Sequence, residues 1–340
     1  MNQPLLRWRM LRHGYFRYPV HVEHCTINDV RRIGLKIRAQ QVTNANSLIS
    51  KSKVLGSGKT QTVTQTLCCI TSTVSSETDR RLRCTNADVA RGGGFALGSS
   101  YFYLEFLLTW HHLLKERGFK NPAIFAIDYT LAPDDTYPTQ VLETLQGYRH
   151  VIKVAKDTSK VCVGGDSAGG ALTLSLLLEL AAQGGKLQMR PGRESHPIKL
   201  ALPHMAILIS PWVTLVSSLH QDSDVDYLDR ERLWEYAHEY VGKAKVNVSP
   251  ASPGSCTDES LWRLCQPKAG YFVVYSGVEM LAEDARNFVK QQRKYGADVQ
   301  ELDYDGGVHA WPVVCMTTAS TRERRLRGVK AMAEAIRASF

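Results

Sequence analysis

Residues 161–182 read VCVGGDSAGGALTLSLLLELAA: a short apolar run, the cluster Gly165-Asp166-Ser167-Ala168-Gly169-Gly170, then an apolar stretch of helical composition. Few folds accept this order. A strand that turns sharply into a helix holds its apex residue under steric strain, so small residues must flank the apex. Glycines two before and two after let the turn pass close to the neighbouring strand and helix. The apex here is Ser167. The helix that follows directs unpaired N-terminal amides at that serine, where an oxyanion would form. The pattern is G-x-S-x-G in the strand–turn–helix setting that makes a serine a nucleophile. A glycine-rich turn with an incidental serine is the bland alternative.

A nucleophilic serine needs a base, and the base needs a carboxylate to fix its tautomer. On such a scaffold the partners follow in the order serine, acid, histidine. Five histidines lie downstream: His196, His204, His220, His238 and His309. Only His309 sits in a loop just past a late strand, in Asp305-Gly306-Gly307-Val308-His309-Ala310-Trp311. The run YFVVY ends at Ser276-Gly277-Val278-Glu279, which puts Glu279 at a strand tip. Glu283 and Asp284 compete with it but fall inside the following helical stretch. The expected catalytic set is Ser167, Glu279 and His309.

From Gly92 onward, short apolar runs alternate with amphipathic stretches, the pattern of a mostly parallel sheet flanked by helices. Strands are predicted at Ala123–Asp128, Val161–Gly164, Met205–Ser210, Tyr271–Tyr275 and Asp298–Leu302. Helices are predicted at Tyr101–Arg117, Pro138–Lys156, Ala168–Gln183, Arg230–Gly242, Met280–Tyr295 and Thr321–Ser339. The tract Gln183–Pro197 reads as a surface loop. His220–Gln266 interrupts the alternation and reads as a small cap insertion above the sheet edge.

Residues 1–91 differ. They carry 15 Lys+Arg against 5 Asp+Glu, whereas residues 92–340 carry 27 against 28, so the net charge of +9 arises in the first quarter. Asn44–Ser76 is a polar Ser/Thr tract in which only Thr62–Val74 alternates like a strand. The basic excess lacks aromatic interleaving on any nucleic-acid module, so no nucleic-acid partner is expected. Gly56-Ser57-Gly58-Lys59-Thr60 lacks the first glycine of a phosphate loop, since that position is Lys53. Asp222, Asp224 and Asp226 alternate like a calcium loop, but Tyr227 and Leu233 replace its glycine and glutamate, so a solvated acidic loop is expected. Eight cysteines form no spaced framework, which favours a reducing compartment. No run approaches a membrane span, and arginines near the start oppose a secretory leader, so a cytoplasmic location is expected.

The chain resembles the hormone-sensitive-lipase-like branch of the α/β-hydrolase fold, the fold-3 serine esterases. The resemblance covers residues 92–340 and rests on Gly92-Gly93-Gly94-Phe95, Asp128-Tyr129-Thr130-Leu131-Ala132-Pro133, Gly165–Gly170, Ser210-Pro211-Trp212, Gly277–Leu281 and Gly306–Trp311. It implies Ser167 as nucleophile, Glu279 as acid and His309 as base. It also implies an oxyanion hole from the amides of Gly93, Gly94 and Ala168. Aspartate is the commoner acid in that family. Two departures stand out. Arg91 precedes the glycines where the family has histidine, which implies altered loop geometry and weakened activity. The segment before it, Asn86-Ala87-Asp88-Val89-Ala90, lacks the apolar character of the expected strand. The reading is therefore that a splice or gene-model junction removed a strand and a histidine, leaving an atypical N-terminal region. A strand from Thr62–Val74 is the alternative.

The activity implied is hydrolysis of small or medium carboxylic esters through an acyl-enzyme, with Trp212 and the insertion lining the pocket and no metal or organic cofactor. The same motifs are similar to those of fungal steryl-acetate deacetylases and natural-product hydrolases acting on amides, lactones or thioesters. A non-catalytic small-molecule binder of the same fold is the reading from another class.

Overall fold

The computed structural model describes residues 67–68, 86–90, 92–99, 102–188 and 202–340. The chain divides into two compact units, Met1–Leu67 and Cys68–Phe340. The described residues fall almost entirely in the second. Gly56–Thr60 lies outside the described residues.

The sheet runs in the order β1-β3-β2-β4-β5-β6-β7. Its strands are β1 (Leu67–Cys68), β2 (Asn86–Ala90), β3 (Ala123–Ile127), β4 (Val161–Asp166), β5 (Met205–Ile209), β6 (Tyr271–Tyr275) and β7 (Val299–Asp303). The pairings from β3 through β2, β4, β5 and β6 to β7 are all parallel. The helices are α1 (Leu104–Glu116), α2 (Thr139–Ala155), α3 (Ala168–Gln188), α4 (Arg230–Val241), α5 (Glu259–Leu264), α6 (Ala282–Lys294), α7 (Trp311–Thr318) and α8 (Arg322–Ala338).

The central strands are short apolar runs because both faces of the sheet are covered. Alternation divides their side chains between two layers. Met205, Ile207 and Ile209 of β5, with Phe272 and Val274 of β6, join one buried cluster with Trp110 and Leu114 of α1, Trp311 of α7 and Met332 and Ile336 of α8. Tyr271, which precedes Phe272 in β6 and points to the opposite face, instead meets Phe288 of α6 edge to face at 5.5 Å. Among the described residues, no helix is long and apolar enough to cross a membrane.

Two expectations need correction. Asn86–Ala90 does form a strand, and an interior one: it pairs in parallel with β3 on one side and β4 on the other. A strand so placed has its backbone N–H and C=O groups taken up by both neighbours, and that pairing outweighs the weak strand propensity of its residues. The missing-strand half of the junction argument is thereby overturned. Of the alternative source, Thr62–Val74, Leu67–Cys68 forms β1 and the rest lies outside the described residues. The second correction concerns α3, which continues through Gly184 and Gly185 to Gln188 rather than ending at Gln183. Two glycines weaken a helix by about 1 kcal/mol each without necessarily ending it.

Candidate active site

Parallel pairing brings the C-terminal strand ends together. Ala90 is level with Gly165, Asp166 with Ile209, Ile209 with Val274, and Tyr275 with Asp303. The residues just past those ends are therefore Gly92–Gly94, Ser167, Ser210, Glu279 and His309, all on one rim of the sheet. Backbone strain gathers there too. Among the described residues five non-glycines have positive φ, and four belong to this rim: Phe95 (65°), Ser167 (53°), Ser210 (43°) and Ala310 (52°). Such strain persists only where surrounding structure enforces it, and it concentrates at functional sites.

Ser167 is held by its backbone. Its N–H donates to the Ile209 carbonyl at 2.9 Å, and its own carbonyl accepts the Ala171 and Trp212 N–H groups at 3.1 and 3.0 Å. Small residues are required because Cβ on Gly170 would come within 2.9 Å of Pro211 Cα. Among the described residues the Ser167 hydroxyl makes no hydrogen bond to His309. Contacts of this kind are often long in unliganded enzymes and tighten when substrate binds.

Glu279 and His309 do meet. The Nδ1 of His309 lies 3.3 Å from Glu279 Oε1, and both side chains are buried. The second carboxylate oxygen, Oε2, accepts the Ser210 hydroxyl at 2.7 Å and the Ser276 N–H at 3.0 Å. Nδ1–H therefore donates to Oε1, and in the neutral ring this tautomer leaves the free lone pair on Nε2. Ser210 Oγ also accepts the Ala310 N–H at 2.9 Å, and Ser276 Oγ donates to the Gly307 carbonyl at 2.7 Å. Burial alone would lower the His309 pKa. The Glu279 hydrogen bond and the charges of Glu279, Asp226 and Asp166 outweigh burial and hold it above the ordinary histidine value.

The glycine loop is fastened from two sides. Gly92 N–H donates to Asp166 Oδ1 at 2.9 Å, while Tyr103 donates its hydroxyl to Asp166 Oδ2 at 2.8 Å. Burial raises the Asp166 pKa against the lowering effect of these partners and of His309. From the other side, Phe95 stacks flat on Tyr240 of α4, with centroids 3.7 Å apart. A Cβ on Gly94 would sit 2.8 Å from the Tyr236 ring. Among the described residues the amides of Gly93, Gly94 and Ala168 donate to no protein acceptor. Trp212 is fully buried, with its indole N–H on the Leu215 carbonyl and its ring tilted against Phe95 at 5.6 Å.

The competing acids are engaged elsewhere. Glu283 pairs with Arg286 on α6. Asp284 lies 3.0 Å from His220 Nε2 and accepts the Ser217 hydroxyl at 3.2 Å. That second histidine–carboxylate pair cannot serve a nucleophile, because His220 Nδ1 accepts the Trp234 indole N–H at 3.1 Å. The loop of alternating aspartates is only partly as expected. Asp222 and Asp224 are exposed, but Asp226 is 4% exposed and accepts the backbone N–H groups of Met280, next to Glu279, and of His309. Its partners are distant in sequence, so composition gave no signal for it. Among the described residues no cluster of His, Cys, Asp or Glu could hold a metal ion. A surface concavity lined by Arg149, His150, Lys153 and Asp157 shares no residue with this constellation.

Residues 89–313 match a family model described as the alpha/beta hydrolase fold. The chain is 24% identical over 246 residues to Esterase LipI of Mycobacterium tuberculosis, covering 71% of this chain and 70% of that protein. It is 26% identical over 208 residues to Steryl acetyl hydrolase 1 of Saccharomyces cerevisiae, covering 56% and 44%. An esterase structure from the bacterial hormone-sensitive lipase family aligns with TM-score 0.60 at 24% identity over 76% of this chain and 77% of that one, a likeness of fold. The chain spans less than half the length of the yeast relatives it matches and 12% of mouse hormone-sensitive lipase.

Proposed function

Because this chain belongs to the α/β-hydrolase family of hormone-sensitive-lipase-like proteins, we propose that it is a serine hydrolase that cleaves carboxylic esters of small or medium hydrophobic substrates. The observation that carries the reading is the strained Ser167, set on the same rim as the buried Glu279–His309 pair. In this mechanism His309 Nε2 takes the Ser167 hydroxyl proton as Oγ attacks the ester carbonyl. The Gly93, Gly94 and Ala168 amides receive the tetrahedral oxyanion. His309 then returns the proton to the departing alcohol, and water, activated the same way, cleaves the acyl-enzyme. Glu279 stabilises the imidazolium that forms in each half-reaction. Tyr227, edge-on to the His309 ring at 5.8 Å, serves as a wall of the acyl pocket, whereas Trp212, fully buried behind Phe95, backs the glycine loop rather than lining the pocket as the sequence suggested.

Acetyl groups are the favoured acyl portion, because two relatives, the Streptomyces hygroscopicus acetyl-hydrolase and the yeast steryl acetyl hydrolase, are named for them. Turnover is expected to be low, since Arg91 stands where relatives of this type carry a histidine. A fluorophosphonate probe tests the proposal: it should label the purified chain stoichiometrically, with the adduct on Ser167 by peptide mass spectrometry. An unlabelled, folded chain would favour a binding protein instead.

The oxyanion assignment has its own test. Gly93 has φ of 97°, and an added Cβ would lie 2.2 Å from the Leu97 carbonyl oxygen. Gly93→Ala should therefore distort the loop and cost about 10²–10³ in kcat, measured on p-nitrophenyl acetate. Native turnover would remove Gly93 from the oxyanion hole.

A further inference from the structure

We infer that Asp226, in the segment between β5 and β6, is a positioning residue that holds the acid and base loops of the proposed triad in register. The inference rests on the serine-hydrolase reading above. Asp226 Oδ1 accepts the His309 N–H at 3.0 Å and the Tyr227 N–H at 2.8 Å. Its Oδ2 accepts the N–H of Met280, the residue after Glu279, at 2.9 Å. One buried carboxylate thus ties the backbone of the base to the backbone beside the acid. Hydrogen bonds to an ionised acceptor are the stronger, shorter class, so the clamp is stiff. The side-chain contact between His309 and Glu279 is long, at 3.3 Å, and depends on both loops staying in place.

Asp226 has a second effect through its charge. The charged groups facing His309 are Glu279 from the loop after β6, Asp226 from the insertion and Asp166 from the end of β4, with the Tyr227 ring alongside. Each carboxylate favours the imidazolium. Neutralising Asp226 removes one of the three, so His309 would lose its proton at lower pH. As only the neutral imidazole can accept the serine proton, the acid limb of the pH–rate profile should move down. A residue that merely aids folding would lower yield or Tm and leave that limb where it was.

The test compares variants of the full chain on p-nitrophenyl acetate across a pH series. Native protein and Ser167→Ala come first: turnover that does not depend on Ser167, or no turnover at all, overturns the hydrolase reading and this inference together. With Ser167-dependent turnover in hand, Asp226→Asn should lower kcat by about 10²-fold, the scale of a small misplacement of reacting groups. KM should stay within about twofold, as expected when ground-state binding is untouched, and the acid limb should shift to lower pH. Asp226→Glu keeps the charge but displaces its oxygens, so kcat should fall with the limb unmoved. The exposed Asp224→Asn should behave as native. Native kcat and an unmoved limb in Asp226→Asn overturn the inference alone. Should Asp226→Asn fail to fold, Asp226→Glu decides: reduced kcat supports the clamp and native kcat overturns it.

Discussion

Replacing Ser167 with alanine is expected to lower kcat on p-nitrophenyl acetate by about 10⁶-fold, the loss typical when a triad nucleophile is removed. The fold should survive. Every hydrogen bond that fixes this turn uses the Ser167 backbone: its N–H on the Ile209 carbonyl, and its carbonyl receiving Ala171 and Trp212. Alanine keeps all three and is no larger than serine, so Tm should remain near the native value. A slow residual rate above that in water is expected from oxyanion stabilisation and substrate binding alone. Substantial turnover in a folded Ser167→Ala protein would place the chemistry elsewhere. Loss of activity together with loss of the melting transition would call for Ser167→Cys as the replacement, since it preserves a nucleophile that a thiol reagent can titrate.

Glu279→Gln is expected to reduce kcat by about 10⁴-fold with KM little changed, as when the orienting carboxylate of a triad becomes an amide. Glu279 uses both oxygens: Oε1 faces His309 Nδ1, and Oε2 accepts from Ser210 and Ser276. A glutamine has one oxygen and one NH₂ to satisfy acceptor positions on both sides. If the oxygen stays with Ser210 and Ser276, the NH₂ faces Nδ1 and selects the wrong imidazole tautomer. Nε2 then carries the proton and cannot take one from Ser167. If the amide flips, the NH₂ opposes the Ser276 N–H. Glu279→Asp keeps the charge and should recover part of the loss. Equal kcat in Glu279→Gln and native protein would hand the acid role to another group, and Asp226 is the nearest carboxylate by connectivity to the base loop.

Local signals made much of this molecule legible. The strands β3 to β6 are short, mostly apolar runs covered on both faces, β7 is a more polar edge strand, and the bounds of all five fall within two residues of expectation. The loops bearing Ser167, Glu279 and His309 follow from where those runs end. Three features escaped a local reading for physical reasons. Strand β2 has no apolar run because its place is fixed by two neighbouring ladders rather than by its side chains. The α7 helix begins at Trp311, directly on the base loop, with Pro312 in its first turn, so the loop signal masked it. Asp226 sits in an acidic stretch like any solvated loop, and its two distant partners lie 54 and 83 residues away. Only the tertiary fold distinguishes it from Asp222 and Asp224.

The stack of Tyr240 on Phe95 and the fit of Tyr236 against Gly94 have a consequence for protein engineering. The segment between β5 and β6 is the obvious cassette to exchange when a different substrate range is wanted. In this chain the cassette contains a buttress for the loop that would meet the oxyanion, carried on α4. A graft that replaced it whole would alter rate and selectivity together, and the two effects could not be told apart in a screen. Chimeras built with crossover points that leave Asp226–Val241 in place would keep that support and the Asp226 ties to the two neighbouring loops, and vary the rest of the segment.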